Sequence, residues 1–173
     1  MKTLSETTAL KKALEIKAEH RERVRGEYEV KAKDCLTCET KGACCLDAHF
    51  VNVRVSRLEA LLMAEELELL AEEKLSEVIE RVEESIETFG LVGSENKTYA
   101  CPLFEQGIGC LVHAVKPVPC VQHACYERIE DVPPDSLVDE TEIKLDDLTR
   151  RTYGRSLPSQ PIPIALKIVL QKD

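Results

Sequence analysis

The sequence predicts a mainly α-helical chain with a small irregular β hairpin, forming a helical scaffold around a cysteine-rich metal or cluster site. Three observations carry this. Apolar residues recur at three- and four-residue steps through the middle of the chain. Strand-like alternation is confined to short stretches. Eight cysteines fall in two groups, one on either side of that helical middle.

The elements follow in order. The stretch "TLSETTALKKALEIKAEHRERVRGEYEVKAKD" suits an N-terminal helix, with Thr3 and Glu6 as a candidate capping box. Its apolar stripe of Leu10, Ala13 and Leu14 is narrow. It reads as a solvated helix docked by one edge, with His20 facing water. In "HFVNVRVS", Val51, Val53 and Val55 alternate with polar residues as a short half-buried strand. Ser56-Arg57-Leu58-Glu59 is an S-x-x-E capping box that opens a helix whose inner face is Leu58, Leu61 and Leu62.

The helical period continues through Leu75, Val78, Ile79, Val82, Ile86 and Phe89, with a break expected near Glu72 and Glu73 and a stop at Gly90. "KTYACPLFEQGIGCLVHA" reads as a small hairpin turning at Gly107 and Gly109, and "VKPVPC" as extended chain, because residues before proline avoid the helical region. A further helix through "LVDETEIKLDDLTRRTY" is expected to be capped by Asp135 or Ser136. The end, "SLPSQPIPIALKIVLQKD", is a proline-punctuated linker and an apolar segment that must dock. The organisation expected is an N-terminal helix over 1–33, a cysteine-cluster domain over 34–130 with a helical spacer at 56–90, and a helical tail over 131–173 packed on the same domain.

Composition narrows the function. A chain of 173 residues can bury a real core, yet only 4% of it is aromatic and Trp is absent, so the core is aliphatic and thin. A net charge of −9 argues against nucleic acid and against anionic membrane surfaces, both of which need clustered Lys and Arg. The start has no apolar signal-peptide core, and no run is long enough to span a membrane. The expectation is a cytoplasmic chain in a reducing compartment, where stable disulfides are rare and eight cysteines point to metal.

The first group is C-x2-C-x5-C-C, from Cys35, Cys38, Cys44 and Cys45. The second is C-P-x7-C-x9-C-x4-C, from Cys101, Cys110, Cys120 and Cys125. A C-x2-C turn faces two sulfurs toward one point, as a tetrahedral metal or a cluster iron needs. Adjacent Cys44 and Cys45 point in different directions. They suggest two four-ligand sets meeting there, or one ligand beside a packing thiol; which thiol joins which set is open. His49, His113 and His123 each lie within local reach of a thiol and are candidate fourth ligands or hydrogen-bonding neighbours.

"CLTCETKGACC" followed by "CPLFEQGIGCLVHAVKPVPC" resembles the YkgJ-type cysteine-cluster family, a zinc- or iron-chelating domain. The resemblance covers Cys35 to Cys125 and keeps the double cysteine, the C-P and the K/R-P-x-x-C in the family's order. It implies that Cys35, Cys38, Cys44, Cys45, Cys101, Cys110, Cys120 and Cys125 are metal ligands or their reserve. The chain departs from the family at the longer gap between Cys38 and Cys44. It also has His113 in place of Tyr, Lys116 and Val121 in place of Arg, and His123 at an often aromatic position.

The cofactor implied is an iron–sulfur cluster or zinc. Cys101-Pro102 echoes the ending of ferredoxin cysteine runs, and the nearby histidines suit zinc. Without a phosphate loop, G-x-S-x-G or H-E-x-x-H, no catalytic residue is assigned. The leading expectation is an iron–sulfur protein for electron transfer or for docking an unidentified protein partner. Alternatives are a structural zinc protein, an enzyme sharing only its cluster with the longer flagellin lysine N-methylases, and a thiol-exchange protein using Cys44 and Cys45 beside Lys41.

Overall fold

The computed structural model describes residues 3–33, 39–47, 51–93 and 96–171. The described residues are mainly helical, with two short antiparallel strand pairs. None of their helices is long and apolar enough to cross a membrane. The chain divides into two compact units, each made of two stretches: Met1–Glu39 with Lys116–Leu157, and Thr40–Val115 with Pro158–Asp173.

The first unit is built on α1 (Glu6–Glu27) and α6 (Asp135–Tyr153), which pack together, with the short α5 (Val118–Gln122) against both. Ser5, rather than the Thr3–Glu6 pair, caps α1: its hydroxyl accepts the Thr8 N–H at 3.2 Å. The docked edge is Ala9, Ala13, Lys17, His20 and Val24, spaced by four and three residues. Docking by one edge holds, but the stripe differs from the expected one, since Leu14 is 42% exposed.

His20 corrects the sequence reading more sharply, being 4% exposed. Its Nδ1 lies 3.0 Å from Thr141 Oγ1, whose own proton goes to the Leu137 carbonyl at 3.0 Å. The threonine oxygen is therefore left to accept, and His20 Nδ1–H donates. Two further threonines on α6, Thr149 and Thr152, are buried and bond back to Leu145 and Leu148 at 2.9 and 2.7 Å. A small alanine edge on α1 lets the helices approach, and the buried hydroxyls are satisfied by the helix's own carbonyls.

Two other expectations change in this unit. "VPC" is the first turn of α5 and not extended; Pro119 fits there because an amide in the first turn has no intrahelical partner to lose. α6 has Pro134 at its cap position, so Asp135 is its first helical residue, where its charge favours the helix dipole. The loop before α6 is pinned by Asp131, which takes a two-point bond from Arg128 (2.8 and 3.1 Å) and an ion pair from Lys31 at 3.7 Å.

The second unit contains α2 (Ala43–Leu46), α3 (Arg57–Leu67), α4 (Glu72–Phe89) and α7 (Ile162–Leu170), with α7 packed on α3 and α4. Around them lie β1 (Arg54–Val55), β2 (Phe104–Glu105), β3 (Gly109–Cys110) and β4 (Gln160–Pro161). The Ser56–Glu59 capping box is formed in both directions. The break falls at Glu68–Ala71, just before the predicted Glu72. Gly90 ends α4 in the left-handed region, φ 55°, where a side chain would be disfavoured. The core is aliphatic, with Leu58, Met63, Leu67, Val78, Val82 and Leu166 among its buried side chains.

The apolar tail docks as expected, through a partner the sequence did not reveal. β4 pairs antiparallel with β1, Arg54 opposite Pro161, and this two-residue edge tolerates proline. Tyr99 fastens the joint. Its hydroxyl donates to Val53 C=O at 2.5 Å and accepts the Ile162 N–H at 3.1 Å, while its own N–H donates to Val51 C=O at 2.9 Å. A fully buried phenol thus ties the segment leading to Cys101 to both strands.

Candidate thiol site of the second unit

Four of the eight cysteines, Cys44, Cys45, Cys101 and Cys110, belong to the second unit. The one-turn helix α2 places Cys44 and Cys45 after Gly42, which sits at φ 79°. A Cβ on Gly42 would run into the Phe104 ring, so only glycine permits this approach. The Cys101 N–H donates to Cys45 C=O at 2.7 Å, joining the two cysteine segments through their backbones. The hairpin then returns Cys110 opposite Phe104, closed by the Leu111 N–H on Leu103 C=O at 2.9 Å. Its turn is the predicted one, with Gly107 and Gly109 both at positive φ.

The electrostatics show that these thiols share one neighbourhood. Burial, and then the adjacent Cys44, Cys101 and Cys110, push the Cys45 thiol up to about 12. Burial likewise raises Cys101, to about 11, with Cys110 adding to the effect. The nearby Leu103 and Phe104 amides and the Arg81 guanidinium pull the other way; the Phe104 N–H itself donates to Cys101 C=O at 3.4 Å.

At neutral pH both thiols are protonated in the metal-free chain, so a metal must displace their protons. A raised value is also the opposite of what a reactive, exchangeable thiol requires, which removes the motive for reading Cys45 as one. No disulfide joins any two of the six described cysteines.

Among the described residues no three His, Cys, Asp or Glu side chains already stand close enough to hold a metal ion. The donor chemistry fits a thiophilic centre; the sulfurs would still have to draw together around it. Cys120 lies in α5 and Cys125 is exposed just beyond it, both in the first unit. There the Lys33 N–H donates to Cys125 C=O at 2.7 Å. Cys35, Cys38 and His49 lie outside the described residues. His113 and His123 are exposed, and the groups acting on Cys45 are all cysteines.

Sequence reasoning missed Arg81. It lies on α4 with its Nη2 3.8 Å from Glu105 Oε2 in the hairpin, while Lys74 Nζ sits 2.6 Å from the same oxygen. Lys74 and Arg81 are the two basic residues of an acidic helix, and nothing in the sequence shows that both reach Glu105 in the hairpin. No protein-family model, curated protein or solved structure matches the chain.

Proposed function

We propose that this chain is a metal-binding protein that holds an iron–sulfur cluster on cysteine thiolates, for electron transfer. The observation that carries this is the joining of the two cysteine segments, with the Cys101 N–H on Cys45 C=O at 2.7 Å and the hairpin returning Cys110 opposite Phe104. All-thiolate ligation is what iron–sulfur clusters take. On this reading the double cysteine contributes both of its thiols to one set. Cys35, Cys38, Cys120 and Cys125 complete the eight-cysteine motif, and the YkgJ-type resemblance rests on the order and spacing of its cysteines.

An iron–sulfur cluster supplies a one-electron couple when bound. The residues of the chain position it. Gly42 lets the double cysteine approach the hairpin, and Tyr99 fixes the segment that leads into Cys101.

Zinc on the same four thiolates is the competing reading, since the ligand sets are alike. Anaerobic isolation followed by iron, acid-labile sulfide and zinc determination separates the two. Brown protein with matching iron and sulfide is expected, together with a reversible one-electron couple. Colourless protein with stoichiometric zinc would reject the cluster and keep thiolate ligation. Protein that takes up neither metal would reject both.

A further inference from the structure

Arg81 has donors with nothing to donate to. Its Nε and Nη2 are buried and make no hydrogen bond, although the side chain belongs to a charged group that normally saturates its five donors. The nearest carboxylate oxygen, Glu105 Oε2, is 3.8 Å away, beyond hydrogen-bond distance, and lies closer to Lys74 at 2.6 Å. Burying guanidinium N–H groups unpaired costs more than burying neutral ones, so an acceptor is expected at this place. Glu105 forms the strand rung next to Phe104, whose own partner is Cys110, so the guanidinium stands at the hairpin that carries the thiols.

We propose that Arg81 is the positioning and charge-balancing residue of the second unit's thiol site, its buried Nε–H and Nη2–H donating to the metal-bound sulfurs. The inference rests on the thiolate reading above. A dipositive centre on four thiolates is left doubly anionic, and bringing that charge into a partly buried site is costly unless a cation stands beside it. Arg81 lies 3.8 Å from Glu105, in the hairpin that carries Cys110. Its planar fork also suits two acceptor atoms at once. Lys74 keeps Glu105 from taking over the guanidinium.

The test uses cobalt(II) alone, titrated into the reduced full chain under a competing chelator, with the sulfur-to-cobalt absorption as readout. Arg81→Gln should weaken binding by about tenfold or more and shift the charge-transfer band, with the metal-free melting temperature little changed. Arg81→Lys, which keeps the charge, should bind within about threefold of the parent. Equal affinity in Arg81→Gln would overturn the proposal alone. So would equal weakening in both variants, which indicates lost packing and not lost charge. Absence of sulfur-to-cobalt absorption in the parent would instead sink the thiolate reading and this inference with it. If Arg81→Gln does not fold, Glu105→Gln decides: it removes the competing carboxylate and should tighten cobalt binding, and unchanged or weaker binding overturns the proposal.

Discussion

In the first unit the buried polar groups include three threonine hydroxyls and an imidazole, and each of these threonines hands its proton to the carbonyl four residues back. In the second unit the polar atoms at stake are sulfurs, and each described neighbour of Cys45 makes its ionisation harder. The three hydroxyls are satisfied by carbonyls of their own helix. The second arrangement is neutral as thiols and mutually repulsive as thiolates, so on the proposed reading a cation would complete it. Polar groups that look alike in a sequence thus serve stability in one place and, on the proposed reading, ligand binding in the other.

The largest expected break lies in the second unit. Gly42→Ala places a side chain at φ 79° and into the Phe104 ring. Backbone strain and overpacking together should cost about 2–4 kcal/mol, read as a lower denaturant midpoint, and metal uptake should fall with it. Unchanged stability and uptake would show that the double cysteine does not depend on this approach.

A smaller effect is expected in the first unit. Thr141→Val removes the acceptor of His20 Nδ1–H while keeping the shape, and should cost about 1–3 kcal/mol. Metal uptake should be unaffected, which sharpens the contrast between the units. A neutral result by chemical denaturation would mean that His20 finds another acceptor at no cost.

The smallest effect concerns acid. Arg128, and then Lys31, hold the Asp131 carboxyl below its ordinary value. A carboxylate depressed in the folded state contributes its stability above the ordinary carboxylate pKa and loses it as pH falls through the depressed value. Asp131→Asn should therefore be slightly less stable than the parent at neutral pH and converge with it in strong acid. Melting curves from neutral pH downward that stay parallel would contradict the assignment.

Much of the second unit was legible because its signals are local. A capping box, a glycine stop and a glycine-rich hairpin each act within a few residues, so the sequence states them directly. His20 was misread because its partner Thr141 lies 121 residues on, and a charge-laced helix gives no sign that one imidazole turns inward. α5 was hidden by its prolines, which break a helix interior but fit a first turn. The eight thiols were visible at once; their grouping was not, because it depends on the Cys45–Cys101 backbone bond and on Gly42 meeting Phe104, contacts that no spacing encodes.

X-ray absorption at the edge of the metal bound to the anaerobically isolated chain tests the central claim most directly. The account predicts a first shell of sulfur alone, at about 2.3 Å, lost in stages when Cys45 or Cys101 is replaced by serine. A shell containing nitrogen or oxygen, or one untouched by both replacements, would contradict it.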